Sequence, residues 1–328
     1  MLLNNALVWD NHTYISPLPG TPTIEGLHRH RRAGFDVTFL NLGDADKSLE
    51  HVIRMAAFAR RWLKENHEHF IILDGVGDVE RARQQGKLAV GFNLEGSFCL
   101  ADQLDAVSLL YDIGVRWMLF VYNRRNLAGY GVHDARDEGL SDFGRALAAE
   151  MDRVGMIKCC SHTGPRTAMD ILEASARPCI FSHSNARALK EHARNISDEL
   201  IRACAATNGV VGVNGINIFL GDNGPDPALM AEHIDYIAQL VGIDHVGLGF
   251  DSGYMNVAEL NGILDADTGF WPAGNDYDKT VDCVPVDAIG EIIEGLEKKG
   301  YSESDIAKVL GRNMLRVAKA VWCPSCHD

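Results

Sequence analysis

Residue types that hold catalytic metal ions recur at the ends of apolar segments in this 328-residue sequence. Asp10 and His12 close the first such segment, and Tyr14 follows at the same spacing, so an extended strand would place all three side chains on one face. Carboxylates and imidazoles are the usual protein ligands of zinc and similar divalent ions. Later segments end in residues of the same kind, namely Glu95, His162, His183 and Asp251. The pattern predicts a metal site or a catalytic site.

Eight short apolar segments alternate with segments of helical period, which predicts parallel strands covered by helices on both faces. The apolar segments are residues 6–10, 35–42, 88–96, 115–123, 155–162, 178–184, 209–215 and 245–253, and a ninth at 70–75 is interpreted as an excursion before the third. We therefore predict the α/β class, with one (β/α)8 TIM-type barrel domain over residues 1–322 and a short C-terminal tail over 323–328. A doubly wound sheet is the alternative, but no glycine-rich turn of the dinucleotide-binding type follows the first segment.

A barrel would bring the candidate ligands together, because the active sites of this fold form at the C-terminal ends of the strands. Each residue also has a simpler explanation. A histidine at a strand end is often a hydrogen-bonded loop residue, Asp251 before Gly253 favours a turn, and Glu95 before Gly96 can cap a helix. Because the candidate ligands occupy the same position at the end of several successive strands, a shared site is the better interpretation.

Two His-x-His motifs are not assigned to this site. His28 and His30 lie in a basic, helix-like stretch before the second strand, and His67 and His69 precede an apolar segment instead of ending it. Ligands at the mouth of a barrel would follow a strand. Both motifs are therefore predicted to lie on solvated faces.

The composition restricts the partners and the compartment. The net charge of -14 argues against nucleic acid and against an anionic membrane surface as partner. No signal peptide or membrane span is recognised, so a cytoplasmic protein is expected.

The cysteines within the barrel are scattered among apolar neighbours and are expected to be free thiols. Cys323, Cys326 and His327 have a spacing that suits zinc or a redox pair, but no second half follows, and a frayed tail is the expectation.

Several stretches of the sequence resemble the renal, or membrane, dipeptidase family of zinc peptidases, in its soluble bacterial branch. The most specific are RPCIFSHSNARALKEHARNISDELI, NGVVGVN and GIDHVGLGFDSG, to which GKLAVGFNLEG, YNRRNLAGYG and VLGRNMLRV add further similarity. Their order and spacing extend the resemblance from Asp10 to about Val321. It implies a barrel hydrolase that acts on dipeptides, and a homodimer, since family members are commonly homodimers.

The resemblance implies a role for each candidate ligand. Glu95 is similar to the carboxylate that bridges two zinc ions in the family. His162 and His183 resemble the ligands of one of these ions, and His12 resembles a ligand of the other. Asp251 is similar to the acidic residue that handles the proton of the attacking water or of the leaving amine.

The resemblance also implies which residues bind the substrate. Arg194 is similar to the residue that grips the substrate's carboxylate, a role that suits a planar bidentate donor. Tyr122 stands where the animal enzymes have a histidine that steadies the tetrahedral intermediate. A phenol can donate a hydrogen bond to an oxyanion, so Tyr122 is expected to serve there.

Two departures from the family concern the metals. Tyr14 stands where the first motif has an aspartate, so one carboxylate ligand is missing, and Cys159 stands where an acidic residue is usual. Asp10 is a possible replacement ligand. We expect a second zinc ion to be bound weakly or not at all, and one to be held firmly by three side chains: Glu95, His162 and His183.

The favoured function is metal-dependent hydrolysis of dipeptides, or of dipeptide-like amides with a free carboxylate, by a metal-activated hydroxide. Two alternatives stay open. One is a divergent hydrolase or lyase that acts on another small carboxylate-bearing amide or ester, and the other is a catalytically weak protein that binds a small molecule. The segment 252–285 is rich in Gly, Asp and aromatic residues, and we expect a substrate-facing loop there rather than a packed element.

Overall fold

Eight parallel strands form a closed barrel in the computed structural model, which describes residues 6–14, 24–221 and 224–322. The last barrel strand pairs with the first between Leu248 and Asp10. Closure confirms the predicted (β/α)8 TIM-type barrel and excludes the doubly wound sheet, which is open. The strands are β1 Trp9–Tyr14, β2 Val37–Asp44, β3 Phe70–Ile72, β4 Leu88–Glu95, β5 Val115–Leu119, β6 Ile157–Cys159, β7 Ile180–Phe181, β8 Val210–Asn214, β9 Val246–Gly249 and β10 Ser252–Gly253.

Two of these strands, β3 and β10, are additions to the ring of eight. β3 pairs with the first half of β4, and β5 pairs with the second half. This arrangement confirms the excursion predicted at 70–75. β10 follows β9 after a break at Phe250 and Asp251 and pairs with Thr13 and Tyr14 at the end of β1. The barrel wall is therefore extended on the side where β1 ends.

Helices form the outer layer, and polar residues begin several of them. Ser141 accepts a hydrogen bond from the backbone N–H of Gly144, and Ser302 accepts one from that of Asp305, so both serines act as N-caps. The helices are α1 Leu27–Arg32, α2 Leu49–Glu65, α3 Val76–Gln85, α4 Ala106–Asp112, α5 Asp142–Val154, α6 Pro165–Ala174, α7 Asp198–Ala206, α8 Asn217–Leu220, α9 Pro227–Val241, α10 Val257–Ala266, α11 Ile289–Lys298, α12 Glu303–Ala307 and α13 Asn313–Val321.

The strands bury side chains on both of their sides. Trp9 stacks with Phe39 inside the barrel, with ring centroids 5.8 Å apart. The preceding residue, Val8, joins the layer between the strands and the helices. Each fully buried side chain of this kind contributes roughly 1.5–3 kcal/mol. The two layers together hold the strand ends, and the residues that follow them, in fixed positions.

The first strand interrupts the regular alternation of side chains. Between Asp10 and Thr13, β1 contains one residue more than the stretch of β2 with which it pairs. Because of this β-bulge, His12 faces the barrel interior, where its ring centroid lies 4.4 Å from that of His183. Asp10 faces outward to α1. The prediction that Asp10, His12 and Tyr14 share one face is therefore wrong.

The outward position of Asp10 also corrects the prediction for His30. His30 is fully buried on α1, and its Nε2 lies 2.8 Å from Asp10 Oδ2. Its Nδ1 contacts the hydroxyl of Tyr254. His30 is not on a solvated face, because α1 packs against β1 at this point. The remaining histidines of the two motifs are exposed or half-buried: His28, His67 and His69.

The segment after β9 contains a packed element, contrary to the prediction. It forms α10, in which Asn256 and Glu259 each accept a hydrogen bond from the other's backbone N–H. Leu264 of this helix joins Phe219 and Tyr277 in a small apolar cluster. The segment nevertheless lines the barrel mouth, which agrees with the position expected for it.

The cysteines of the described residues are free thiols, as predicted, and five of the six are buried. Cys323, Cys326 and His327 lie outside the described residues. Within the described ranges, no helix combines the length and the apolar character needed to cross a membrane.

Candidate metal centre and its cavity

Three buried side chains of the predicted set form a compact group. Donor atoms of His12, Glu95 and His183 all lie within 4.8 Å of one another. His12 Nε2 is 3.4 Å from Glu95 Oε2, and His183 Nε2 is 3.3 Å from Glu95 Oε1. These residues come from β1, the end of β4 and the loop after β7, so the barrel brings together three distant parts of the chain. Two imidazoles and one carboxylate are a donor set that suits zinc.

His162 lies beside this group. Its Nε2 is 3.3 Å from Glu95 Oε1 and 2.9 Å from His183 Nε2. Its Nδ1 lies 2.7 Å from Asn123 Oδ1, an acceptor, so the ring donates there and turns the lone pair of Nε2 toward the centre. His162 has a φ of 62° and Asn123 a φ of 55°. Such left-handed backbone is costly for these residue types, and the surrounding barrel maintains it at the site.

A second layer of polar side chains orients the first. Asn41 Nδ2 donates to Glu95 Oε2 over 2.9 Å, and Ser182 Oγ lies 2.9 Å from His183 Nδ1. Cys159, at a position where the family resemblance implies an acidic residue, lies with its Sγ 3.1 Å from Ser182 Oγ. Cys159 therefore supports His183 through Ser182 and does not reach the centre itself.

Burial and neighbouring charges give the imidazoles different protonation states in the metal-free protein. Burial, with the charge of Arg194, lowers the pKa of His162 well below its ordinary value, and burial also lowers that of His183. Burial lowers the pKa of His12 too, but the nearby carboxylates, chiefly Glu95, outweigh it and raise the value to about 9. Burial raises the pKa of Glu95. Two neutral imidazoles therefore adjoin a carboxylate.

One buried atom supports a cation site directly. His12 Nε2 is inaccessible to solvent and makes no hydrogen bond among the described residues. It lies between Glu95 Oε2 and Asp251 Oδ1, at 3.4 Å from each. A metal ion could bind this nitrogen, which makes no hydrogen bond to either carboxylate. The residues present therefore fit a divalent ion.

Asp10 does not join the ligand group. Its Oδ2 lies against His30, and its Oδ1 accepts the backbone N–H of Phe250 over 2.9 Å. Both oxygens are therefore engaged outside the barrel interior. The arrangement gives no support to Asp10 as a replacement ligand.

Tyr14 lines the cavity but offers no charge to a metal. Burial, followed by the charges of nearby groups that include Asp251, raises its pKa well above the ordinary value, so the phenol stays protonated. A Cβ on Gly253 would lie 2.1 Å from Tyr14 Cε2, so only glycine leaves room for the ring there. The tyrosine is thus built into the wall of the site.

Arg194 reaches the same centre with an unused donor. The residue is 2% exposed, and its Nη2 lies 2.8 Å from His162 Nε2. Its guanidinium carbon lies 5.3 Å from the centroid of Phe219. Nη1 is buried and has no hydrogen-bond partner among the described residues. An unpaired buried guanidinium N–H is costly, so this donor calls for an anionic ligand.

Tyr122 and Asp251 flank the ligand group from two sides. The ring of Tyr122 stacks on that of His162 with centroids 4.2 Å apart. Burial raises the pKa of Tyr122 well above its ordinary value and keeps the hydroxyl protonated. Asp251 has a φ of 57° and accepts a hydrogen bond from Asn214 Nδ2 over 2.8 Å. Its other oxygen faces His12.

A cavity of about 390 Å³ lies over this group. Glu95, Tyr122, His162, Arg194 and Asp251 lie on its wall. The mouth is largely apolar, and α10 contributes four of its side chains: Leu260, Ile263, Leu264 and Ala266. A volume of this size suits a small molecule.

Sequence reasoning missed the amides that orient the ligands. Asn41 and Asn123 also stand at the ends of predicted apolar segments, at 35–42 and 115–123. The same positional rule would have found them, but it was applied only to residue types that ligate metals. Ser182 carries no such signal, because its role depends on the neighbouring His183.

Comparison with known proteins assigns the chain to a family. A sequence profile of the membrane dipeptidase family (peptidase family M19) matches residues 31–268. Since this match covers well over half of the chain, the protein belongs to that family. An uncharacterized dipeptidase of Schizosaccharomyces pombe is 30% identical over 255 residues, which are 76% of this chain and 57% of the yeast protein. The alignment therefore spans little more than half the length of that relative.

Solved structures share the fold over nearly the whole chain. An amidohydrolase from Pseudomonas aeruginosa has a TM-score of 0.87 at 28% identity, with 98% of each chain covered. A metallopeptidase from Rhodobacter sphaeroides, liganded with a phosphinate mimic of the dipeptide L-Ala-D-Ala, has a TM-score of 0.77 at 20% identity, with 97% of this chain and 99% of the other covered. At 20% identity, the similarity to the Rhodobacter protein establishes a shared fold only.

Proposed function

We propose that this protein is a metal-dependent dipeptidase that hydrolyses dipeptides or dipeptide-like amides with a free carboxylate. One observation carries the proposal: Glu95 of the buried imidazole–carboxylate group and Arg194, whose Nη1 has no hydrogen-bond partner among the described residues, line the same cavity. The first suits a divalent ion, and the second suits a carboxylate. Membership of the membrane dipeptidase family and the dipeptide mimic bound by the Rhodobacter protein support the same substrate class.

Zinc is the ion that we propose, with one firmly held ion at this group and a second ion weak or absent. A zinc ion there would polarise the substrate carbonyl and lower the pKa of a bound water. The sequence predicts Glu95, His162 and His183 as its ligands. Because His12 belongs to the compact group and His162 does not, we propose instead that His12, Glu95 and His183 would hold the ion, with His162 beside them. Tyr14 supports the single ion, because a protonated phenol takes the place of a charged ligand.

The protein's own side chains then have distinct roles. Arg194 would fix the free carboxylate of the substrate, which excludes internal peptide bonds. Tyr122 would donate its protonated hydroxyl to the carbonyl oxygen as negative charge develops on that oxygen. Asp251 would accept a proton from the attacking water and pass it to the leaving amine. The stacking of Tyr122 on His162 and the position of Asp251 beside His12 support these assignments.

Metal analysis and a substrate panel together test the function. Protein purified without chelator and dialysed against zinc is expected to retain zinc by elemental analysis and to cleave members of a panel of L,L- and L,D-dipeptides. Glu95→Gln is expected to lose both properties, whereas Glu68→Gln, on the exposed surface, keeps both.

Three outcomes would count against parts of the proposal. A chain that retains no zinc and cleaves no dipeptide would overturn it. Retained zinc with activity only on other carboxylate-bearing amides or esters would favour the divergent hydrolase, to which the departure at Tyr14 also points. A monomer in light scattering would contradict the homodimer, which we propose from the family resemblance alone.

A further inference from the structure

Among the described residues, one carboxylate of the cavity has a single long ion pair and accepts no hydrogen bond from another residue. Five carboxylates line the wall. Glu95 and Asp251 each accept a hydrogen bond from a buried asparagine, and Asp267 accepts backbone N–H groups of its own turn. Asp46 is 65% exposed and lies 3.3 Å from a lysine ammonium. Asp44 remains.

Asp44 stands directly beside the metal group. It is the last residue of β2, and its Cα pairs in register with that of Glu95. Its side chain is 34% exposed, and Lys47 Nζ lies 3.9 Å away, beyond hydrogen-bond distance. No other described residue donates a hydrogen bond to its carboxylate. Ala45 follows with a φ of 43°, a left-handed conformation that turns the chain sharply after Asp44.

The covalent structure of a dipeptide explains why this position is informative. The free ammonium is two bonds from the carbonyl carbon that is attacked, which places it about 2.5 Å from that carbon. A group that recognises the ammonium must therefore lie next to the metal ligands. The terminal carboxylate lies on the other side of the carbonyl. Asp44 beside Glu95 meets the first condition, and Arg194, which reaches the centre past His162, meets the second.

We propose that Asp44 binds the free α-ammonium group of the substrate, so that the preferred substrates are unblocked dipeptides rather than N-acylated amino acids. The inference rests on the proposed dipeptidase function. Asp44 and Arg194 then recognise the two charged ends of a zwitterion. The distance between these two charged ends limits the substrate to two residues.

Binding of two matched probes tests the assignment without turnover. The zinc-loaded protein is titrated with the phosphinate analogue of L-Ala-D-Ala and with the N-acetyl derivative of the same analogue. The unmodified protein is expected to prefer the free amine at least tenfold, and Asp44→Asn to reduce this preference to nearly none by weakening only the free-amine probe. Asp46→Asn, which removes the same charge two residues away, is expected to keep the preference. Zinc content is measured for each protein.

The possible failures are distinguishable. Equal affinity of the unmodified protein for both probes, or an unchanged preference in Asp44→Asn, would overturn the assignment and leave the dipeptidase function standing. A loss of zinc in Asp44→Asn would also overturn it, because Asp44 would then act on the metal. Binding of neither probe to the unmodified, zinc-loaded protein would overturn the proposed function and this assignment with it.

Discussion

Tyr14 stands where the family resemblance implies a carboxylate ligand, and its protonated phenol carries no charge. Tyr14→Asp is expected to increase the zinc bound per chain, because the smaller side chain frees space and adds a negative ligand beside His12. Elemental analysis after dialysis against zinc measures the change. Tyr14→Phe is the matched control, since it removes the hydroxyl and adds no ligand, and its zinc content is expected to stay the same.

An unchanged zinc content in Tyr14→Asp would show that this position does not limit the number of ions. A second site would then have to be incomplete for another reason. The position of Asp10 is the first to consider, because its carboxylate is held by His30 outside the barrel.

The protonation of His12 makes the free energy of unfolding of the metal-free protein depend on pH. Burial lowers the pKa of His12, but Glu95 and Asp251 raise it from 6.5 to about 9 in the folded protein. A raised pKa contributes stability that is fully present below pH 6.5 and is lost as the pH rises through 9. In chelator-treated protein, urea unfolding is expected to show a loss of about 2 kcal/mol from this residue between pH 7 and pH 9.5.

His12→Gln provides the comparison for this prediction. The variant lacks the titrating group, so its free energy of unfolding is expected to fall less over the same pH interval. Equal losses in the two proteins would contradict the raised pKa of His12.

At the scale of the elements, a buried hydrogen bond joins α1 to β1. His30 Nε2 lies 2.8 Å from Asp10 Oδ2, and both side chains are fully buried. His30→Ala would leave Asp10 Oδ2 buried without its partner, which costs about 1–3 kcal/mol. Urea denaturation is expected to show this loss. His28→Ala changes a half-buried histidine of the same helix and is expected to cost much less. A small effect of His30→Ala would mean that Asp10 is uncharged or reaches water.

The strands could be predicted from the sequence, whereas some of their side-chain directions could not. Apolar segments that end in polar residues mark buried parallel strands, and Glu95 and His183 occupy the strand ends that this pattern predicts. The bulge in β1 has no signal of this kind, because an extra residue leaves the apolar pattern before it unchanged. His30 was misplaced for a related reason: its burial depends on how α1 packs against β1. α10 was missed because it contains Gly262, a poor helix former, and buries only Leu264, so its packing leaves little signal in the sequence.

At the scale of the whole molecule, the candidate ligands join four separate parts of the barrel wall. His12 lies in β1, Glu95 ends β4, and His162 and His183 follow β6 and β7. Binding of an ion to the folded state alone stabilises it by about 2.7 kcal/mol when the free ion is at a hundred times its Kd. Removal of metal by a chelator is therefore expected to lower the thermal unfolding midpoint, and added zinc to restore it. Glu95→Gln is expected to respond to neither treatment, and an unmodified protein that also responds to neither would contradict a metal in the wall.

The bulge in β1 restricts how the chain can change in length. Deleting Asn11 would restore regular pairing with β2 and make Asp10 and His12 neighbours, whose side chains point to opposite sides of a regular strand, as they do now. His12 would then stay in the interior. Relatives that keep the metal centre are therefore expected to lose a residue of this strand, Trp9–Tyr14, only at the position of Asn11.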